Sequence, residues 1–500
     1  MFSLVKVKIL DEVNAVIIGL HPDHVMLFYD MYARFAANYF FSPKFKLGAW
    51  DGKIRYFHKT GKTYVYLLDE IIPKIISLGY KLELIDGRSV TPIKPPAITD
   101  QYFAHIIHPE DDVPIILRHY QVTAVNKLFD AGHGIAIAGT GGGKTIICGA
   151  IADSYNKVGY KVLIIVPSQD LITQTIDEFE ILEIDTGEYS GDNKDYKHPT
   201  VVSTWQALKN NPAILGEFDV VIVDECHGIK GNVLTELLND HGKKIVVRYG
   251  VTGTLPKEET DAMAVRIAVG DVQYEIPAHE LISQGYLATV HIDVVKLNEN
   301  FKPQYKDFLL SNPIVKLTYN QFLEQYFPDF DAEKSYLEKN KTRTEYIAKL
   351  IEQKRDLKKG NVFCLVNGIN FGKKLAELIP GAIFVYGKDK KKARKEIYNL
   401  FKENDNITVI ATVHIAGTGL NIKRIFNLFL VDMGKSFIRV IQTIGRGLRK
   451  AHDKDSVWVI DVTSNLKYSK KHTRERKKYY SDAKYPFDEK DIVYTKEDNI

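Results

Sequence analysis

Apolar residues fall into two registers along this chain. One is the short unbroken run: Ile135-Ala136-Ile137-Ala138, Val162-Leu163-Ile164-Ile165-Val166, Val220-Val221-Ile222-Val223, Val362-Phe363-Cys364-Leu365-Val366, Val409-Ile410-Ala411 and Val457-Trp458-Val459-Ile460. Such runs read as strands buried on both faces. Between them apolar positions recur every three or four residues, as at Leu171, Ile172 and Phe179 or over 372–378, and predict helices. Strand–helix alternation predicts parallel sheets layered with helices.

The first 90 residues read differently. Strands are predicted at 4–10 and 15–18, a helix at 23–35, a hairpin of 53–57 with 64–67, a second helix at 70–78 and a last strand at 81–85. That is a small α+β domain. Val90-Thr91-Pro92-Ile93-Lys94-Pro95-Pro96 can continue neither a helix nor a central strand, so 91–112 reads as a linker. The rest divides into an α/β domain over 113–288, a second over 289–465 with an insertion at 292–335, and a basic C-terminal tail at 466–500.

The first candidate chemistry is at the end of the run at 134–138. Ala138-Gly139-Thr140-Gly141-Gly142-Gly143-Lys144-Thr145 joins a strand to a helix, the layout of a phosphate-binding loop. Gly139, Thr140, Gly141, Gly142 and Gly143 let backbone N–H groups turn inward around a phosphate, and the helix N-terminus adds partial positive charge. Lys144 would reach the β- and γ-phosphates of ATP, and the Thr145 hydroxyl would hold Mg²⁺. Upstream, the Gln121 amide can pair with the N6/N7 edge of adenine, and Arg118 can stack over the same base.

A second apolar run ends in Asp224-Glu225-Cys226-His227. Asp224 would join the Mg²⁺ shell, and Glu225 would orient the attacking water. His227 would link this site to the other domain, and Thr252 and Thr254 suit a hydrogen-bond relay. In open α/β sheets the C-terminal strand tips line the functional crevice. Ser168, Gln169, Ser203 and Thr204 are therefore candidates for a nucleic-acid backbone, and equally for ordinary turns and caps. The loop 40–55 interleaves aromatics with Lys44, Lys46, Lys53 and Arg55 beside Trp50. It reads either as a surface for phosphates and unpaired bases or as an aromatic plug.

Composition narrows this picture. A net charge of +4 over 500 residues makes any nucleic-acid surface local. Three separated cysteines show neither metal-ligand nor paired spacing, as expected of a reduced cytosolic protein. No apolar run is long enough to span a bilayer, so no membrane partner is expected.

These motifs, in this order, resemble the superfamily-2 helicases of DExH type, here spelled Asp-Glu-Cys-His. In the second half Thr408-Val409-Ile410-Ala411-Thr412 followed by Gly417-Thr418-Gly419-Leu420-Asn421-Ile422 resembles the fifth motif, with Asn421 where relatives often carry Asp. Gln442-Thr443-Ile444-Gly445-Arg446-Gly447-Leu448-Arg449 matches Gln-x-x-Gly-Arg-x-x-Arg. The resemblance implies two RecA-like parallel-sheet domains preceded by the small α+β domain, with ATP between the two. It implies nucleotide contacts from Gly419 and Asn421, coupling through Gln442, a nucleic-acid contact at Thr412, and catalytic arginines at Arg446 and Arg449.

More narrowly, Phe45-Lys46-Leu47-Gly48-Ala49-Trp50-Asp51-Gly52-Lys53-Ile54-Arg55, Thr204-Trp205-Gln206 and Ile441-Gln442-Thr443-Ile444-Gly445-Arg446 resemble the phage UvsW-type branched-DNA helicases. That implies branch migration, fork regression and D-loop or R-loop unwinding in recombination, repair and replication. It further implies a cytoplasmic monomer, in the host cytoplasm if phage-encoded, with single-strand-binding or recombination proteins as partners. A duplex-DNA translocase of restriction type, an RNA helicase, and a nucleic-acid-binding protein with an incidental ATPase stand as alternatives.

Overall fold

The computed structural model describes residues 4–494 apart from 110–111, 192, 229–232, 234, 257, 359, 387–398, 402, 414–423 and 435–453. The chain forms two compact units that meet in sequence at Ile276 and Pro277.

The core of the first unit is a seven-stranded sheet of β7 (His133–Ala138), β8 (Val162–Val166), β9 (Thr186–Tyr189), β10 (Thr200–Thr204), β11 (Val220–Asp224), β12 (Val247–Thr252) and β13 (Val272–Ile276). Its order is β13-β7-β12-β11-β8-β10-β9, and every pairing is parallel. All of β8, β10 and β12 is buried, which is why these strands lack apolar–polar alternation. The helices His119–Ala131, Lys144–Lys157 and Gln169–Ile181 pack on the sheet.

Before it lies the small α+β domain. β1 (Leu4–Ile9), β2 (Asn14–Ile18), β5 (Lys62–Tyr64) and β6 (Lys81–Asp86) form a mixed sheet in the order β5-β2-β1-β6. The expected hairpin of 53–57 with 64–67 does not form. β4 (Lys53–Arg55) pairs instead with β3 (Ala33–Phe35), and β5 pairs with β2. Tyr56 and Phe57, directly after β4, are buried in the small core beside Phe28, so the chain turns inward where the hairpin required it to run on. The first helix, Pro22–Met31, also stops short of Phe35, because Ala33 to Phe35 is drawn into β3.

One helix belongs to two cores. In Glu259–Val269, Met263 and Ile267 pack among the small domain's Val5, Phe28 and Ile71, while Val265, Ala268 and Val269 pack beneath the large sheet. Positions 263 and 267 lie one turn apart on one face. Arg266 adds an ion pair to Glu70 at 2.7 Å, and the Tyr56 hydroxyl donates to the Thr260 carbonyl at 3.2 Å. Fully burying Met263 and Ile267 contributes roughly 1.5–3 kcal/mol each. The linker packs as well: Asn126 brackets the backbone of Ile98 through both amide atoms, each at 2.9 Å, and Phe103 and Ile106 are buried.

The second unit is built on a seven-stranded sheet of β14 (Thr289–Leu297), β15 (Val362–Val366), β16 (Ile383–Val385), β17 (Thr408–Thr412), β18 (Asn427–Val431), β19 (Ser456–Ser464) and β20 (Phe487–Ile492). The order is β16-β17-β15-β18-β19-β14-β20, again parallel throughout. The insertion begins later than expected, because 292–297 is needed in β14. It consists of helices Lys302–Ser311, Tyr319–Tyr326 and Phe330–Lys339 around an aromatic cluster that buries Phe301, Phe322 and Phe327.

The basic segment at 466–500 is not a free tail in its described part. Residues 467–482 form a helix, and β20 is the sheet's edge strand on β14. Buried Arg476 holds Asp461 through two 2.9 Å bonds, and the Tyr480 hydroxyl donates to the same carboxylate at 2.8 Å. The Glu333 carboxylate caps the helix start, accepting from the N–H groups of Tyr468 and Ser469 at 2.9 and 2.7 Å.

Candidate active site

The glycine loop follows β7, whose last five residues are buried. Gly143 is the N-cap of helix Lys144–Lys157 and sits at φ +73°, a conformation side chains resist. A Cβ there would also come within 2.4 Å of the Gln121 amide nitrogen. The loop is thus pressed against Gln121, whose own carbonyl oxygen accepts from the Arg118 N–H at 2.8 Å. Arg118 and Gln121 form a capping box at the start of helix His119–Ala131, and the Arg118 guanidinium donates to the Tyr120 hydroxyl at 2.9 Å. Gly139 is tied to the end of β13 by a 3.0 Å bond to the Ile276 carbonyl. Lys144 and Thr145 open the helix, so their side chains share its N-terminal end with unpaired N–H groups.

β11 delivers the acidic pair. Asp224 is its last residue, and Glu225 follows at φ +49°. The Lys144 ammonium lies 3.2 Å from the Glu225 carboxylate. His227 Nδ1 lies 3.3 Å from the same carboxylate and 2.6 Å from the Thr252 hydroxyl at the end of β12. That hydroxyl donates to the Thr254 carbonyl at 2.9 Å. Lys144, Glu225, His227, Thr252 and Thr254 therefore form one continuous polar chain across the tips of three structural elements. Cys226 faces the other way, into the core, where its Sγ would lie 3.1 Å from a Cβ at Gly250.

The charges are strongly coupled. Burial pushes the Glu225 carboxyl up, but Lys144 and His227 outweigh it and hold the group below the usual carboxylate range. Burial and then the neighbouring Glu225 charge push Asp224 up. Lys144 and His227 both serve Glu225, and a cation beside Asp224 would offset the burial and the Glu225 charge that act on it. Thr145 and Asp224 offer a hydroxyl and a carboxylate, the hard oxygen donors that suit Mg²⁺. Among the described residues no group of three or more His, Cys, Asp or Glu could hold a metal, so phosphate oxygens and water would complete the shell.

The other expected positions divide. Ser168 is the N-cap of helix Gln169–Ile181 without using its hydroxyl there, while the Gln169 amide donates to Glu188 at 2.6 Å. Ser203 is fully buried and its hydroxyl donates to the Tyr189 carbonyl at 2.6 Å; the Thr204 hydroxyl caps the next helix. Thr412 is buried at the end of β17. Ser203, Thr204 and Thr412 thus turn inward, where cap and strand geometry claims them. In the 40–55 loop Lys44 and Lys46 are exposed and Lys53 is partly so. Trp50 donates its indole N–H to the Lys53 carbonyl at 2.9 Å, and Arg55 pairs with Asp51 while stacking over Tyr29. Trp50 and Arg55 therefore brace the loop. Gly419, Asn421, Gln442, Arg446 and Arg449 lie outside the described residues.

Sequence reasoning missed a buried network in the second unit. Arg343 is fully buried, donates twice to Asp432 at 2.7 and 2.8 Å, and faces Glu299 at 3.3 Å. Glu299 in turn accepts from the Tyr494 hydroxyl at 2.6 Å. The four residues are scattered along the chain, and no local pattern marks them.

Three family patterns match consecutive parts of the chain. They are the N-terminal domain of the DNA helicase UvsW over residues 5–85, the res subunit of type III restriction enzymes over 114–257, and the helicase conserved C-terminal domain over 342–451. The chain is 25% identical over 466 residues to the ATP-dependent DNA helicase UvsW of Enterobacteria phage T4, covering 90% of this chain and 89% of that protein. It is 29% identical over 189 residues to the DNA 3'-5' helicase XPB of Mycobacterium tuberculosis, covering 34% and 32%. Its fold is similar to the DNA-bound ATP-dependent Type ISP restriction-modification enzyme LlaBIII, with TM-score 0.57 and 13% identity over 86% of this chain and 34% of that one.

Proposed function

Since this chain is a superfamily-2 DExH-box helicase, an ATP-dependent DNA helicase, we propose that it acts on branched or forked DNA. The work proposed is branch migration, fork regression and unwinding of D-loops and R-loops in recombination, repair and replication. The observation that carries this reading is the shared helix Glu259–Val269, which welds the UvsW-type N-terminal domain to the first motor sheet. A DNA grip fused to the hydrolysing sheet moves with it, as a motor that must hold a junction requires.

The geometry supports these roles. Lys144 and the helix N-terminus bind the phosphates, and Gln121 and Arg118 flank the loop where they select adenine. In the structure Lys144 is engaged by Glu225. An arriving γ-phosphate competes for that ammonium and frees the carboxylate to orient water. His227 and Thr252 then pass the change along the strand tips through hydrogen bonds. Mg²⁺, held by Thr145 and Asp224, would neutralise phosphate charge. Gly419 and Asn421 are proposed to contact nucleotide, Gln442 to couple, and Arg446 and Arg449 to stabilise the transferred phosphoryl group; Arg449→Ala would spare ATP binding and lose turnover.

No described helix is long and apolar enough to cross a membrane. We propose that the protein is cytoplasmic, in the host cytoplasm if it is phage-encoded, and works as a monomer beside single-strand-binding or recombination proteins. The test is the ATPase rate with no nucleic acid, single-stranded DNA, duplex, a four-way junction and RNA. Strongest stimulation by the junction supports the proposal. Equal stimulation by plain duplex would make the protein a translocase of restriction type, and a preference for RNA would reassign its substrate.

A further inference from the structure

The 40–55 loop holds aromatic rings out of the core by construction. Asn38, at φ +54°, opens a tight turn over Tyr39–Phe41 that is closed by the Phe41 N–H on the Asn38 carbonyl at 3.0 Å. Tyr39 is wedged between Phe35 and Phe45, with ring centroids at 4.7 and 4.8 Å. Behind it Gly52 sits so close that a Cβ would meet the Tyr39 ring at 2.5 Å. With Tyr39 pinned, its neighbours cannot fold back. Phe40 and Phe41 stay 50% and 67% exposed, their centroids 4.4 Å apart, and Leu47 is 82% exposed. Large apolar side chains grouped on a surface mark an interaction site.

Lys44 and Lys46 stand between these residues in the chain, are exposed, and form no ion pair among the described residues. Aromatic faces bordered by unpaired lysines match a polyanion whose bases are available for stacking. A fully paired duplex has no free base face in its interior, whereas a branch point has unpaired or loosened ones. We propose that Phe40 and Phe41 stack on an unpaired base at a DNA branch point, with Lys44 and Lys46 on the flanking phosphates. The inference deepens the branched-DNA reading and rests on it. It also moves recognition from Trp50 and Arg55, which brace the loop, to residues that the loop displays.

The test uses the full chain, wild type and F40A/F41A, with affinities measured on a single strand, a fork and a fully paired duplex at one salt concentration. Stacking on one base changes affinity about tenfold to a hundredfold. The expected result is a loss of about tenfold or more on the fork and single strand, a much smaller change on duplex, and recovery in F40W/F41W. Wild-type preference for the fork that F40A/F41A retains would overturn the inference and leave the branched-DNA reading standing. Absence of that preference in the wild type would overturn the reading itself, and an unchanged single-strand affinity in F40A/F41A would then sink the inference too. Loss of self-association without any change in DNA affinity would assign the patch to a second copy of the chain and also overturn it.

Discussion

The Lys144 ammonium lies 3.2 Å from the Glu225 carboxylate. The residue that would bind phosphate and the residue that would activate water therefore hold each other before either has a substrate. The pairing resolves an electrostatic problem, since two adjacent carboxylates close to the sheet cannot both stay charged without a partner. On the proposed reading, exchange of this one contact for a phosphate contact would arm the site.

Two substitutions at this pair separate binding from chemistry. Lys144→Ala is expected to lower DNA-stimulated ATP hydrolysis at least about a hundredfold, the loss typical when one charge-stabilising donor is removed from an active site. Glu225→Gln is expected to lose turnover on a similar scale while still binding nucleotide. A double-mutant cycle on thermal stability without nucleotide should return a coupling of about 0.5–3 kcal/mol between the two positions. Wild-type hydrolysis by Lys144→Ala would show that the site is elsewhere.

Gly143→Ala should disable the loop without touching a charged group. The new methyl needs a positive φ and the space of the Gln121 amide, 2.4 Å away. Nucleotide affinity, followed by fluorescence of a labelled ATP analogue, is expected to fall at least about tenfold, against a stability loss of only about 1–3 kcal/mol. Gln121→Ala in the same background should recover part of the lost stability if the collision is the cause.

The helix at 467–482 is a structural member of the second unit. Arg476→Ala would leave the buried Asp461 carboxylate without its charged partner, and such breaks cost about 3–5 kcal/mol. Urea unfolding should show that loss. Lys471→Ala and Lys478→Ala, on the exposed face of the same helix, should leave stability within about 0.5 kcal/mol. Truncation after residue 466 would also remove β20 and is expected to prevent the second sheet from folding.

His198 carries the clearest pH dependence. Its ring nitrogens lie 2.5 Å from Asp185 and 3.0 Å from Asp195, and the bond to Asp185 chiefly raises its pKa above the usual imidazole value. Protonation therefore favours the folded loop. The contribution is complete below the unfolded pKa of about 6.5 and is lost as pH rises through the higher folded value. Hydrogen exchange at 193–199 should accelerate across that window in the wild type, and His198→Ala should flatten the profile.

Much of this protein is written locally. The unbroken apolar runs at Val162–Val166 and Val220–Asp224 leave no alternative to buried parallel strands, and a glycine loop between strand and helix has a backbone freedom that other residues deny. The glycine loop between β7 and its helix, the position of Asp-Glu-Cys-His at the end of β11 and the two α/β halves were legible for that reason. The small domain's hairpin was misread because alternation reveals that a strand exists, but not which strand it pairs with.

What only the tertiary structure decided is which surfaces meet. Glu259–Val269 reads as one more amphipathic helix, yet its two faces join two cores. The basic segment at 466–500 reads as a solvated end, yet Arg476 and Tyr480 bury themselves on Asp461 and β20 completes a sheet begun at β14. Ser203 and Thr204 look like ligand contacts at strand tips until their hydroxyls are seen bonded inward. Sequence pattern records how much of a residue must be hidden from water and how freely its backbone can turn. The partner behind which it hides is set by packing between distant segments, and no local signal carries it.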